Sequence, residues 1–184
     1  MNASMERRQA SALAEFLAGL QAGMIGVLWM LAWMGVSAMW LRRSFWSSEN
    51  LMASIVAGNS AIRNGFAGST WSGIALYLLI YSLLGAAFAV LVRDRFTSLG
   101  TLLLSIFFSV GWYYLWFRWL GQMMMPLVWL LHAERATVLG HVIFGVLLTR
   151  FPMFLEGSGE QTAWKTAEPA EAASVPAQPD TELL

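Results

Sequence analysis

The sequence predicts an all-α integral membrane protein: a four-helix bundle with two short interfacial helices and a disordered C-terminal tail. Hydrophobic residues make up 58% of the 184 residues and charged residues only 12%, about half the charged share of ordinary globular chains. Residues 71–92 carry no charge at all. An α-helix rises about 1.5 Å per residue, so about 20 apolar residues cross the roughly 30 Å hydrocarbon core of a bilayer. This segment is therefore expected to span a membrane.

Composition also excludes several classes of function. The net charge is zero, and the eleven basic residues are scattered in ones and twos rather than gathered in a stripe, so no nucleic-acid partner is expected. The chain has no Cys, which rules out disulfides, thiolate metal sites and Cys nucleophiles. No phosphate-binding loop or nucleophile constellation occurs in the sequence, and we expect no enzymatic activity.

The first span is predicted over residues 16–41, after a polar N-terminus at 1–14 that contains Arg7 and Arg8. Its apolar run exceeds the 7 to 15 residues of a signal-peptide core, so an uncleaved anchor is favoured over a cleaved signal. Small residues in the membrane let helix backbones approach closely. Such residues line one side of this span: Ala18, Gly19, Ala22, Gly23 and Gly26.

The remaining elements of a transmembrane domain at 15–155 follow from charge and Pro positions. A short helix is predicted at 49–57, capped by Ser48, lying on the membrane surface or tucked against the bundle. The second span, 71–92, contributes Gly85 and Ala89 to helix packing. A tight turn at 93–95 leads to a third span at 96–118, and Pro126 begins a second short helix at 126–133. The fourth span is predicted at 136–155.

The C-terminal segment 156–184 has a different composition, rich in Glu, Ala, Pro, Ser, Gly and Thr. Six acidic residues stand against one Lys, and bulky apolar residues are almost absent. Such a segment cannot bury enough apolar surface to offset the entropy lost on ordering. We therefore expect a disordered acidic tail.

Residues 70–88, TWSGIALYLLIYSLLGAAF, and 140–151, GHVIFGVLLTRF, resemble small four-helix bacterial membrane proteins that belong to families of unknown function. The likeness covers roughly residues 70–150. It implies the architecture and a bacterial cytoplasmic membrane, and no activity. Where those families often place a His in the second helix, this chain has Tyr77, which puts a shared His-based site in doubt.

Few side chains qualify as candidate functional groups. His132 and His141 are the only histidines, and His residues hold haem b in membrane anchors. The structural alternative for His141 is a hydrogen bond to a neighbouring helix. The other candidates are polar residues inside or near the spans, where ionisable groups are costly and often functional. They are Glu15, Gln21, Tyr77 and Tyr81.

These observations favour a non-enzymatic accessory subunit or scaffold of a larger membrane complex. The partners expected are the lipid bilayer and other membrane protein subunits, or further copies of the chain. One alternative is a small oligomeric transporter or channel whose substrate contacts Gln21, Tyr77, Tyr81 and His141. A second alternative is a haem-binding membrane anchor, and otherwise no cofactor or metal is expected. Positive charges before the first span place both termini in the cytoplasm.

Overall fold

The computed structural model describes residues 2–63, 65–92, 97–124 and 126–155. This part of the chain is helical and contains no strand, which confirms the all-α prediction. Its elements are α1 (Asn2–Trp40), α2 (Ser47–Ala57), a 3₁₀ turn (Ala61–Arg63), α3 (Gly68–Val92), α4 (Ser98–Tyr113), a π-helical segment (Tyr114–Leu120), α5 (Gly121–Met124), α6 (Pro126–Leu131) and α7 (Glu134–Leu148). A further helical turn covers 151–155. The predicted turn at 93–95 and the predicted disordered tail at 156–184 lie outside the described residues.

Within the described residues, three helical stretches are long and apolar enough to cross a membrane: Ala12–Trp40, Gly68–Val92 and Ser98–Met123. They correspond to the first three predicted spans. The predicted fourth span at 136–155 is not one continuous helix in the structure, because α7 ends at Leu148 after 15 residues. Pro152 follows the break, and its ring cannot continue an α-helical hydrogen-bond ladder.

Helix boundaries differ from the predicted ones where local helix propensity outweighs polarity. In the structure α1 begins at Asn2, whereas the sequence predicts a polar N-terminus at 1–14 and a first span that begins at residue 16. Residues 5–10, MERRQA, are all strong helix formers without Gly or Pro. The helix stops where Arg42 takes a left-handed φ of 56°. There the Arg43 amide donates to the Ala38 carbonyl at 2.8 Å, a Schellman-type end.

Helices α1 and α3 touch through backbone, because glycines face each other at their crossing. A Cβ on Gly19 would lie 2.6 Å from the Gly85 carbonyl oxygen, and one on Gly23 would lie 2.6 Å from the Tyr81 carbonyl oxygen. Ala18, Ala22 and Ala89, from the predicted packing residues, are buried. The two helices therefore approach more closely than any larger side chain would permit.

The other side of α1 packs on α7, and α7 packs on α4. Gly26 accommodates the Phe144 ring, which would lie 2.8 Å from an added Cβ. A Cβ added to Gly145 would lie 2.8 Å from Ile106 Cα, so Gly145 lies against the α4 backbone. Helices α3 and α4 are farther apart, and the Phe88 and Phe108 rings, 5.4 Å between centroids, bridge them. The helices thus form a bundle in which aromatic rings fill the wider space between α3 and α4.

The connection after α1 is ordered because α2 docks on α3. A Cβ on Gly73 would collide with the Glu49 carbonyl oxygen. Beside this contact the Thr70 hydroxyl donates to Asn50 Oδ1 at 2.8 Å, and Asn50 Nδ2 donates to the Gly65 carbonyl at 2.9 Å. Of the two predicted locations for this short helix, the structure places it against the bundle, with Glu49 and Asn50 buried.

We expect Gly23→Leu to destabilise the fold by at least about 1–3 kcal/mol, the cost of overpacking a tight contact. Gly111→Leu is the matched control, since Gly111 lies within α4 and an added Cβ there meets nothing within 4 Å. Thermal unfolding of the purified protein in detergent measures both. Equal stability of the two variants would contradict the assigned contact.

Candidate functional site

The bundle interior contains two hydrogen-bonded pairs of one Tyr and one His. In the deeper pair, Tyr81 and His141 are both buried, and the Tyr81 hydroxyl lies 2.7 Å from His141 Nε2. His141 Nδ1 lies 2.8 Å from the Thr137 carbonyl oxygen, which can only accept. In neutral imidazole Nδ1 therefore carries the proton, and the Tyr81 hydroxyl donates to Nε2. Geometry alone thus determines the tautomer.

The second pair lies nearer the end of the bundle that carries α2 and α6. The Tyr113 hydroxyl is 3.0 Å from His132 Nε2. Phe117 stacks on the His132 ring at 5.0 Å between centroids, and Tyr113 contacts the His141 ring edge-on at 5.2 Å. The two pairs therefore form one aromatic cluster at the junction of α3, α4, α6 and α7.

The π-helical segment positions part of this cluster. Its hydrogen bonds skip one residue farther than those of an α-helix, as in the bond from the Gly121 amide to the Trp116 carbonyl. Tyr113 and Phe117 stack at 5.4 Å directly before and within the segment. Both rings consequently face the histidines.

Tyr77 lies on α3 between the Tyr81–His141 pair and α2. Gly73, Tyr77 and Tyr81 recur every fourth residue and so share one face of the helix; the two tyrosine rings lie 5.8 Å apart. Gly73 contacts the Glu49 backbone. We call Glu49, Tyr77, Tyr81 and His141 the polar column. On α3, the stretch from Gly73 to Tyr81 beside the column is about 12 Å long at 1.5 Å per residue.

Glu49, at the α2 end of the column, is 1% exposed. Its Oε2 atom has no hydrogen-bond partner. Burial disfavours the carboxylate and raises the pKa of Glu49 to about 7, although a bond from its own backbone amide acts in the opposite direction. The carboxyl therefore titrates near neutral pH.

The opposite end of the polar column is closed by apolar rings. Phe144 packs edge-on against Tyr81 at 5.1 Å, and Phe88 contacts both Phe108 and Phe151. Leu148 and Val92 are buried beyond them. Among the described side chains, the polar column therefore extends from α2 to His141 and no farther. Beyond it lies an apolar plug formed by Phe88, Phe108, Phe144 and Phe151.

A small cavity adjoins the polar column at its α2 end. About 30 Å³ is open to water-sized molecules, room for about two waters. Met34 and Ala38 of α1, Ser48 and Met52 of α2, and Tyr77 line it together with residues of α6 and α7. At its rim, Arg43 Nη1 donates to the Leu131 carbonyl at 2.8 Å and joins the end of α1 to α6.

The structure brings together some predicted site residues and separates others. Tyr77, Tyr81 and His141 meet in the polar column, and His132 belongs to the adjoining cluster. Gln21 lies on the exposed surface and Glu15 is half-buried in the first span, so neither reaches the column. Sequence reasoning missed Glu49 and Tyr113. The fourfold spacing of Gly73, Tyr77 and Tyr81 was available as a signal for the column, but nothing in the sequence pairs Glu49 with it.

The geometry disfavours haem ligation by this cluster. The Nε2 atoms of both histidines, one usual iron-binding position, hydrogen-bond tyrosine hydroxyls. Among the described residues no three His, Cys, Asp or Glu side chains lie close enough to hold a metal ion. What the cluster offers chemically is hydrogen bonding and proton exchange.

We expect Tyr81→Phe to destabilise the protein by about 1–2 kcal/mol, because it leaves His141 Nε2 buried without a partner. Tyr113→Phe is the control, with a smaller effect, since His132 is only half-buried. Unfolding equilibria in mixed detergent micelles measure both. A larger loss in Tyr113→Phe would contradict the assignment of Tyr81–His141 as the buried pair.

Comparison with known proteins gives no relative from which a role could be carried over. No family model matches the chain, and neither curated proteins nor solved structures include a significant match. Its function therefore has to be argued from the geometry of the helices and the polar column.

Proposed function

We propose that the chain is a non-enzymatic integral membrane protein that acts as an accessory subunit or scaffold in a larger membrane complex. The observation that carries this proposal is the outward face of α4. Leu99, Leu103 and Phe107 recur every fourth residue along it and are 66%, 61% and 77% exposed. Only 17% of the most apolar stretch of this span is buried, compared with 56% for the span in α1.

Gly111 is the next residue at this fourfold spacing on the outward face of α4. A small residue there is not expected on a face that contacts only lipid. Among the described glycines, eight others have a neighbouring segment against the place of their missing Cβ: Gly19, Gly23, Gly26, Gly35, Gly73, Gly85, Gly140 and Gly145. At Gly111 nothing lies within 4 Å. Since small residues in membrane helices mark close helix contacts, we infer that another membrane helix packs at Gly111.

The polar interior supports a structural role for most of its members. Tyr81, His141, Tyr113 and His132 hydrogen-bond one another, and the Ser109 hydroxyl donates to the His141 carbonyl at 2.7 Å. Groups that satisfy each other need no substrate. A catalyst or pump would need more ionisable groups inside the spans than these.

A small oligomeric transporter is the second candidate, favoured by the meeting of Tyr77, Tyr81 and His141 in one column. The apolar plug formed by Phe88, Phe108, Phe144 and Phe151 weighs against it, because a substrate path would have to pass these rings. We therefore rank transport below the accessory role.

We further propose four spans, with α7 and the turn at 151–155 together completing the fourth. Both termini would then lie on the cytoplasmic side of a bacterial inner membrane. That side would hold six basic residues: Arg7, Arg8, Arg93, Arg95, Arg150 and Lys165. The opposite side would hold five: Arg42, Arg43, Arg63, Arg118 and Arg135. The difference is small, and the pair before the first span favours this orientation.

The accessory role is tested by isolating the tagged chain from its native membrane in mild detergent, followed by native mass spectrometry. We expect a second membrane protein to co-purify with the parent chain and to be lost in Gly111→Leu, without a change in thermal stability. Leu79→Ala, at a position 58% exposed on α3, should retain it. Recovery of the parent chain alone, or only as a homo-oligomer, would contradict the accessory role.

Orientation is tested by cysteine labelling, which is clean because the chain has no native Cys. In intact cells an impermeant thiol reagent should modify Ser60→Cys, since Ser60 is exposed after α2. Ser174→Cys should be protected until the membrane is permeabilised. The reverse pattern would invert the orientation, and equal partial labelling at both sites would indicate dual insertion.

A further inference from the structure

Among the described residues, Glu49 is the only buried acidic side chain, and one of its carboxyl oxygens is left without a hydrogen bond. Tyr81 and Tyr113 hydrogen-bond His141 and His132, whereas Glu49 Oε2, with the residue 1% exposed, has no hydrogen-bond partner. A protonated acid tolerates such a site, but an ionised carboxylate there incurs a desolvation cost that exceeds the stabilisation from its own backbone amide. The position therefore discriminates between the two protonation states.

The backbone contact of α2 with α3 links this carboxyl to the position of the whole helix. At Gly73 the two backbones are too close for any side chain to intervene. Asn50, the next residue, is fixed by Thr70 and Gly65. Glu49 consequently reaches water only if the first turns of α2 move away from α3.

Movement of α2 would also open the cavity. Ser47, Ser48, Leu51 and Met52 of α2 form one wall of it, and Tyr77 of the polar column lies opposite. With α2 docked, the cavity has room for about two waters. With α2 displaced, the cavity and the α2 end of the column face the aqueous side.

We propose that Glu49 is a proton-dependent switch: α2 stays docked over the cavity while the carboxyl is protonated and leaves α3 when the carboxyl ionises. The ligand of the switch is the proton. Ionisation would expose Tyr77 and the cavity wall to water or to molecules at the membrane surface. This regulation is independent of the accessory role proposed above.

Among the described side chains around α2, no charged or titratable group stabilises the Glu49 carboxylate. Helix α3 presents the Tyr77 side chain, which carries no positive charge. Helix α1 presents apolar Met34 and Ala38 to the cavity. Arg43 is exposed and donates to Leu131, and His132, after α6, hydrogen-bonds Tyr113.

The direction of the pH dependence follows from the pKa of Glu49, which burial raises from 4.5 to about 7. The docked state then binds more protons than the undocked state, in which the carboxyl meets water. Docking is strongest below about pH 4.5, weakens as the pH rises from there to about 7, and levels off above. The docking equilibrium should change on the order of 100-fold across this window.

The test uses the full chain in lipid nanodiscs with a single Cys at Met52, a residue 3% exposed on the cavity wall. Its rate of modification by a water-soluble thiol reagent is divided by that of Ser60→Cys, which is exposed, so that the pH dependence of the thiol itself cancels. We expect this ratio to rise on the order of 100-fold between pH 4.5 and 8. A flat ratio would overturn the switch.

Three further variants, each combined with Met52→Cys, identify the titrating group and the moving element. Glu49→Gln keeps the shape of the neutral acid, and its ratio should stay low at every pH. His132→Gln should retain the rise. Gly73→Ala should give a high ratio at every pH because the added Cβ displaces α2. The proposal would be overturned if the labelling ratio still rose with pH in Glu49→Gln, or if it no longer rose in His132→Gln. It would also be overturned if Gly73→Ala had the same pH dependence as the parent chain, a test that leaves Glu49 unchanged.

Discussion

The rest of the structure depends on the backbone contact between α1 and α3. Gly19, Gly23 and Gly85 carry no side chain between the two helices, so dispersion forces act over the whole crossing, which is the main source of helix association where lipid removes the hydrophobic effect. Once α3 is fixed against α1, its Gly73, Tyr77 and Tyr81 face is held in the interior. The opposite side of α1 then accommodates α7 through Gly26 and Phe144.

Inside this bundle the Tyr–His pairs and Glu49 differ in their energetics. The Tyr81–His141 and Tyr113–His132 pairs exchange hydrogen bonds within the protein, which stabilises them in a medium where an unpaired polar group is expensive. Glu49 is buried as deeply, yet one of its oxygens has no partner. A paired polar group stabilises one structure through its hydrogen bond. An unpaired carboxyl favours it only when protonated, and this difference is why regulation is assigned to Glu49 rather than to the histidines.

Helix α4 occupies a different place from the other long helices. It meets α7 closely at Gly145, but it reaches α3 only through large rings such as Phe88 and Phe108. Its remaining faces are open, and Gly111 leaves a gap in one of them. Two separate regions therefore have different roles in our proposals. The α4 surface contacts a partner helix, and α2 with Glu49 responds to pH at the membrane surface.

The sequence by itself determined the helical class and the first three apolar spans, because length and hydropathy are local properties read along one helix. Helix α1 extends beyond the predicted first span, because strong helix formers continue it through polar residues, and α7 ends at Leu148, within the predicted fourth span. Only the tertiary structure decided which polar side chains meet. Glu49 and Tyr77 lie twenty-eight positions apart in the chain, and His141 reaches Tyr81 across sixty; such pairings depend on how helices rotate and cross, which no single segment encodes.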